Sequence, residues 1–190
     1  MHGFIADMKQ GRLAVTNPVP PSPGLRRYAR KEVEEKLRFA YELDPSHYAN
    51  YNTLHFFYAE QLNGSSAAAP DLDRLAWRTY DYCMEQEGDP RPALTAASAC
   101  LNLINLKITQ VRGGDIVYDE TIFHPLVLKM DESFDKYHRL TCAWNESGSW
   151  RRLSAARTDE LAQYALSLVN QRDLTIQIIE RLHQEHRNKS

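Results

Sequence analysis

Residues 93 to 111 read ALTAASACLNLINLKITQV, and Lys107 is their only charge. Leu94, Ala97, Leu101, Ile104, Ile108 and Val111 recur at alternating spacings of three and four, which lines them along one helical face. Ala99, Leu103 and Leu106 fall on the other side. This pattern predicts a helix that is apolar nearly all round and sits in the middle of a helical protein, covered by its neighbours. One polar line breaks it: Ser98, Asn102, Asn105 and Thr109, spaced four, three and four, share a single stripe.

The same periodicity predicts helices on either side. The first runs from Leu25 to Leu43, with Val33, Leu37 and Ala40 on one face. Asp44-Pro45 stops it, because a residue before proline resists the helical region. A second, rich in aromatics, runs from Tyr48 to about Leu62. Asn63 to Ser66 reads as a loop that Ala67 to Pro70 prolongs. A third helix opens at Asp71 or Asp73 and reaches Glu87, with Leu75, Ala76, Tyr80 and Cys83 inward. Gly113-Gly114 ends the central helix by left-handed turn geometry, and Asp115 to Tyr118 reads as a short extended piece. A fifth helix spans Thr121 to Asn145, with Phe123, Leu126, Met130, Phe134 and Tyr137 buried and Pro125 in its first turn. The last begins at Ser154 or Thr158 and continues to His186, with Leu161, Ala165, Leu168, Ile178, Ile179 and Leu182 on its apolar side. Arg172 interrupts that side, which argues against a long dry coiled coil. The expected class is all-α: residues 1–24 an extended Pro-rich arm, residues 25–190 a helical domain of about six helices. In the arm, Asn17 to Gly24 carries four prolines and reads as a non-helical spacer; its P-x-x-P spacings are also those of a ligand for an aromatic groove.

Composition narrows the function classes. A net charge of −2 over 190 residues gives no broad electrostatic case for nucleic acid or anionic membrane. Cys83, Cys100 and Cys142 are scattered, so they form neither a disulfide framework nor a zinc knuckle, and each is expected to pack as a small hydrophobe. No apolar run is long enough to span a membrane, and no secretory leader is evident. The expected location is cytoplasmic, or the soluble part of an anchored protein if the chain is cut from a longer one.

Residues 28–90 resemble tetratricopeptide repeats. Val33, Leu37, Ala40 and Pro45 have the spacing of a repeat's second helix, and Leu43-Asp44-Pro45 matches its common ending. Tyr51, Leu54 and Tyr58 take the positions of the next first helix, and Ala76, Tyr80 and Cys83 resume the pattern after the insertion near Asn63 to Pro70. His55 departs from the small residue usual at its place. Residues 93–187 add further helices without the motif. The resemblance implies a groove lined by first helices that binds a peptide or partner helix, with Asn52, Phe56, Ala59 and Glu60 facing it. Phe56 stands where the family's carboxylate clamp has an Asn, so that clamp is not expected.

The polar line bears on this groove. Asn side chains in an apolar setting must find partners or cost about 1–3 kcal/mol each. They either bond to neighbouring helices or face the groove and read a peptide backbone. The expected partner-binding positions are Asn52, Phe56, Glu60, Asn102, Asn105 and Thr109. Glu180 and His183 form an E-x-x-H, the spacing that di-metal bundles use, but Asp135 to His138 offers only a D-x-x-H in support. No nucleotide-binding or hydrolase signature occurs, so neither catalytic residues, metal nor cofactor are expected. The leading expectation is a protein-interaction or adaptor module. Self-association through the long C-terminal helix is the alternative, and a metal-dependent helical enzyme the remote one.

Overall fold

The computed structural model describes residues 22–60 and 69–188. The described residues form six α-helices: α1 (Pro23–Leu43), α2 (Tyr48–Ala59), α3 (Ala69–Glu85), α4 (Arg91–Gly113), α5 (Glu120–Ser147) and α6 (Ala155–Arg187), with a 3-10 turn at Ser149–Arg152 between the last two. No strand occurs among the described residues, so the class is all-α. Most of the Pro-rich arm lies outside them, as do Pro18, Pro20 and Pro21 of its P-x-x-P pairs, while Pro23 opens α1. The chain divides into two compact units, Met1–Phe39 and Ala40–Ser190.

In the first unit, α1 starts earlier than the proline content suggests. Ser22 caps it, its Oγ accepting from the Leu25 amide at 3.2 Å, and Pro23 takes the first helical position, where its missing N–H costs nothing. Glu32–Lys36 at 2.6 Å and Glu34–Arg38 at 3.0 Å are helical i,i+4 pairs, each worth about 0.3–0.5 kcal/mol on an exposed surface. Leu25, Tyr28, Val33 and Phe39 are exposed.

The second unit is built around α4. Every residue from Pro92 to Leu101 is buried, and Leu103, Ile104, Leu106 and Ile108 continue the core. α4 packs against α3 and α5 most extensively, and against α2 and α6 as well. Ala93, Ala96, Ala97 and Ala99 give it a thin first half, so neighbours approach closely from several sides. Gly114 ends it at φ 79°, its amide reaching the Val111 carbonyl at 3.2 Å.

Several boundaries differ from the sequence expectation. Ala69 and Pro70 belong to α3 rather than to the loop, with proline again in a first turn. Asp115 and Ile116 form a bend, and residues 117 to 119 have no regular structure. Pro125 lies one turn inside α5, whose start is set earlier by Asp119, its carboxylate accepting from the Thr121 amide at 2.9 Å. On α5 it is Ser133, Lys136 and Leu140 that continue the buried line, while Phe134 and Tyr137 are half-buried. Ser133 bonds back to the Lys129 carbonyl at 2.9 Å, and Lys136 donates to the Met84 carbonyl at 2.6 Å, capping the C-terminal end of α3. Cys142 is exposed, because the helical phase turns it outward; only Cys83 and Cys100 pack as hydrophobes.

α6 has 33 residues and is unbroken, about 50 Å long at the α-helical rise. Its buried residues are Leu161, Leu168, Thr175 and Leu182, one every seventh position. Arg172 beside that seam makes a two-point ion pair with Asp131 of α5, at 2.7 and 3.1 Å. No described helix is long and apolar enough to cross a membrane.

Candidate functional site

The candidate site is the polar line of α4 and the face of α2 beside it. These two helices run in the same direction. Thr95 Oγ1 donates to the Ser46 carbonyl at 2.6 Å, Ser98 reaches Asn52, and Leu106 clusters with Tyr58 and Ala59. α3 returns antiparallel, its Asp73 bonded to Lys107 at 2.8 Å and its Leu72 packed on Leu106.

The line divides into two halves. In the inner half, Ser98 Oγ donates to Asn52 Oδ1 at 2.8 Å, and Asn52 Nδ2 donates to the Tyr164 hydroxyl at 3.1 Å. One carboxamide thus uses both its acceptor and its donor to join α4, α2 and α6. Asn102 Nδ2 donates to the hydroxyl of Tyr51, which is fully buried. Burial raises the Tyr51 phenol far above its ordinary range, and the Asn102 hydrogen bond opposes this only in part. Tyr164 is raised for the same reason, with Ser98 and Asn52 opposing. Both phenols are therefore neutral hydrogen-bonding groups at physiological pH.

α6 seats its first turns on this half. Tyr48 stacks on Tyr164 with ring centroids 4.3 Å apart, and the Tyr48 hydroxyl donates to Glu160. Arg157 lies 5.5 Å from the centre of the Tyr48 ring and donates to His47 Nε2 at 3.3 Å. Because arginine only donates, that ring nitrogen is the acceptor.

In the outer half, Asn105 and Thr109 are exposed, and Thr109 Oγ1 donates to the Asn105 carbonyl at 2.9 Å. On α2 beyond Asn52, Phe56 and Glu60 are exposed as well, while Ala59 is half-buried against Ala69, Leu72 and Leu106. Asn52 and Asn102 are thus half-buried and bonded to other helices, and the other four positions are exposed. Tyr51 and Tyr164 are the members that pattern reading missed. Tyr164 stands three residues past Leu161 and four before Leu168, so the spacing alone placed it at the edge of the buried seam.

His55 is perturbed by burial as well. It lies 5.7 Å from the Tyr51 ring, and desolvation holds its imidazole down to about 4. The thiols of Cys83 and Cys100 are pushed up to about 12 by burial, which leaves them unreactive.

The histidine motifs lead elsewhere. His183 Nδ1 lies 3.3 Å from the Tyr118 hydroxyl and 4.0 Å from Glu120, while His138 has the Cys142 thiol at 3.9 Å. Among the described residues no group of three or more His, Cys, Asp or Glu is placed to hold a metal ion. A shallow hollow of about 880 Å³ lies along α3 and the end of α4, between Trp77, Arg74 and Lys107.

No protein-family model matches the chain. Searches of curated proteins and of solved structures likewise return no significant match.

Proposed function

We propose that the chain is a protein-interaction module whose helices alternate as in a tetratricopeptide-like array, and that it holds an extended peptide or partner helix along the outer half of the α2–α4 face. The observation that carries this reading is the division of the polar line. Ser98 and Asn102 bond to α2, and beyond them Asn105 and Thr109 on α4, Phe56 on α2 and Glu60 at its end are exposed side by side. An aromatic ring, a carboxylate and two hydrogen-bonding side chains suit a peptide backbone and its side chains. The parallel course of α2 and α4 with α3 returning between them supports the repeat reading, since stacked helical pairs place their first helices side by side.

Site-specific photo-crosslinking tests the proposal. A photoreactive phenylalanine analogue at position 56 or 109 should give a discrete adduct in native lysate. The same group at exposed Leu128 on α5 should not. Equal labelling at all three positions would remove the assignment.

A second reading has its own observation. Leu166 and Leu174 on α6 are 56% and 58% exposed, so self-association through this helix is the alternative. Serine at both positions would then abolish oligomers, while leaving crosslinking at position 56 unchanged.

A further inference from the structure

The described part of the first unit carries an interaction surface of its own. Positions 25, 29, 32, 36 and 39 recur at spacings of four, three, four and three, so they form one line along α1. The residues are Leu25, Ala29, Glu32, Lys36 and Phe39, and all are exposed. Leu25 is 44% and Phe39 63% exposed, and Tyr28 flanks the line at 68%. Large apolar side chains this open, on a helix that also carries a paired Glu and Lys, offer a partner both apolar area and matching charge.

The line is self-complementary in one orientation. Reflected about Glu34, position 29 exchanges with 39 and position 32 with 36. Two copies of α1 laid antiparallel therefore bring Ala29 opposite the partner copy's Phe39, a small residue beneath a large one. The same register brings Glu32 opposite the partner copy's Lys36. A parallel, in-register pair would instead set Glu against Glu and Lys against Lys, which is unfavourable. Within one copy Glu32 and Lys36 already lie 2.6 Å apart, so the antiparallel pair gathers two acids and two bases at its centre with no charge in excess. The charge pattern selects the orientation, and the Leu25, Tyr28 and Phe39 side chains supply the apolar area.

We propose that α1 is a self-association surface through which a second copy of this chain docks antiparallel, centred on Glu34. It is independent of the peptide-binding face and of the exposed residues on α6. The span from Leu25 to Phe39 covers about four helical turns, so the contact is small and the dimer concentration-dependent.

Sedimentation of the full chain over a wide concentration series tests it. The wild type should move from monomer to dimer as concentration rises. Glu32→Lys alone and Lys36→Glu alone should each remain monomeric, with unchanged far-UV circular dichroism. An equimolar mixture of these two variants should recover the dimer, because each copy then offers the charge that the other lacks. A purely intrahelical role for the Glu32–Lys36 pair cannot produce that rescue. A wild-type chain that is monomeric throughout would overturn the proposal. So would single variants that still dimerise, or a mixture that does not recover the dimer. Loss of the dimer only when Leu166 and Leu174 are replaced would assign self-association to α6 and overturn it equally.

Discussion

Replacing His55 with phenylalanine should change how stability depends on pH more than it changes stability near neutrality. The imidazole is held at about 4 by desolvation, whereas an unfolded chain restores an ordinary value of about 6.5. Between those values the unfolded state binds a proton that the folded state refuses, so stability rises with pH across this window. The stabilising effect is fully present above the unfolded value, is lost as pH falls, and levels off below the folded one. A difference of about 2.5 pH units, at about 1.36 kcal/mol each, sets the total near 3 kcal/mol. Local relaxation around a half-buried ring makes that an upper figure. The carboxylates held below their ordinary range, Glu32 through Lys36, Glu87 through Lys136 and Asp119 through Thr121, are lost in a lower window. Urea unfolding followed by circular dichroism from pH 4.5 to 7.5 separates the two. The difference between wild type and His55→Phe should change by about 2–3 kcal/mol over that range, the variant gaining relative stability as the pH falls. Every other titrating group is common to both chains and cancels. Parallel stability curves would refute the reasoning, because they would mean that the ring reaches solvent or a partner for its charged form.

Three further outcomes follow from single contacts. Tyr164→Phe leaves the Asn52 amide without its acceptor and should cost about 1–2 kcal/mol; in a double-mutant cycle with Ser98→Ala the two losses should fail to add, and additivity would break the proposed α4–α2–α6 chain of bonds. Lys136→Met keeps most of the side-chain volume but removes the ammonium that caps the Met84 carbonyl, so thermal unfolding should show a loss of about 2 kcal/mol. Gly113 and Gly114 should respond with opposite signs to alanine: Gly114, at φ 79°, should lose about 1 kcal/mol, and helical Gly113, whose added methyl meets only Asp115 at 3.5 Å, should gain up to about 1 kcal/mol by calorimetry.

How far the sequence could be read depended on whether the cause was local. Asp44-Pro45 and Gly113-Gly114 act on the backbone where they stand, and α1 and α4 end there. A helix with one charge in nineteen residues has to be surrounded, and α4 is. Errors arose where composition stood in for geometry. Pro23 and Pro70 were weighed as helix breakers, although a proline in a first turn breaks nothing. Cys142 has apolar neighbours in sequence, but the helical phase decided its exposure.

The polar line of α4 marks the deeper limit, and also its physical reason. Periodicity states which residues share a face; it does not state what stands opposite. Ser98 and Asn102 lie on the same line as Asn105 and Thr109, yet the first pair is bonded to another helix and the second is exposed. The partners of the first pair, Asn52 and Tyr51, stand on α2, and α6, remote in sequence, joins them through Tyr164, which accepts from Asn52. Its start is held at α2 through Tyr164 and Asn52, and by Arg172 it is bonded to Asp131 of α5. α6 also packs against α4, and Leu168 lies buried between the two anchors along its length. Arg172, which interrupts the apolar seam in sequence, is therefore one of two points that fasten α6 to its neighbours.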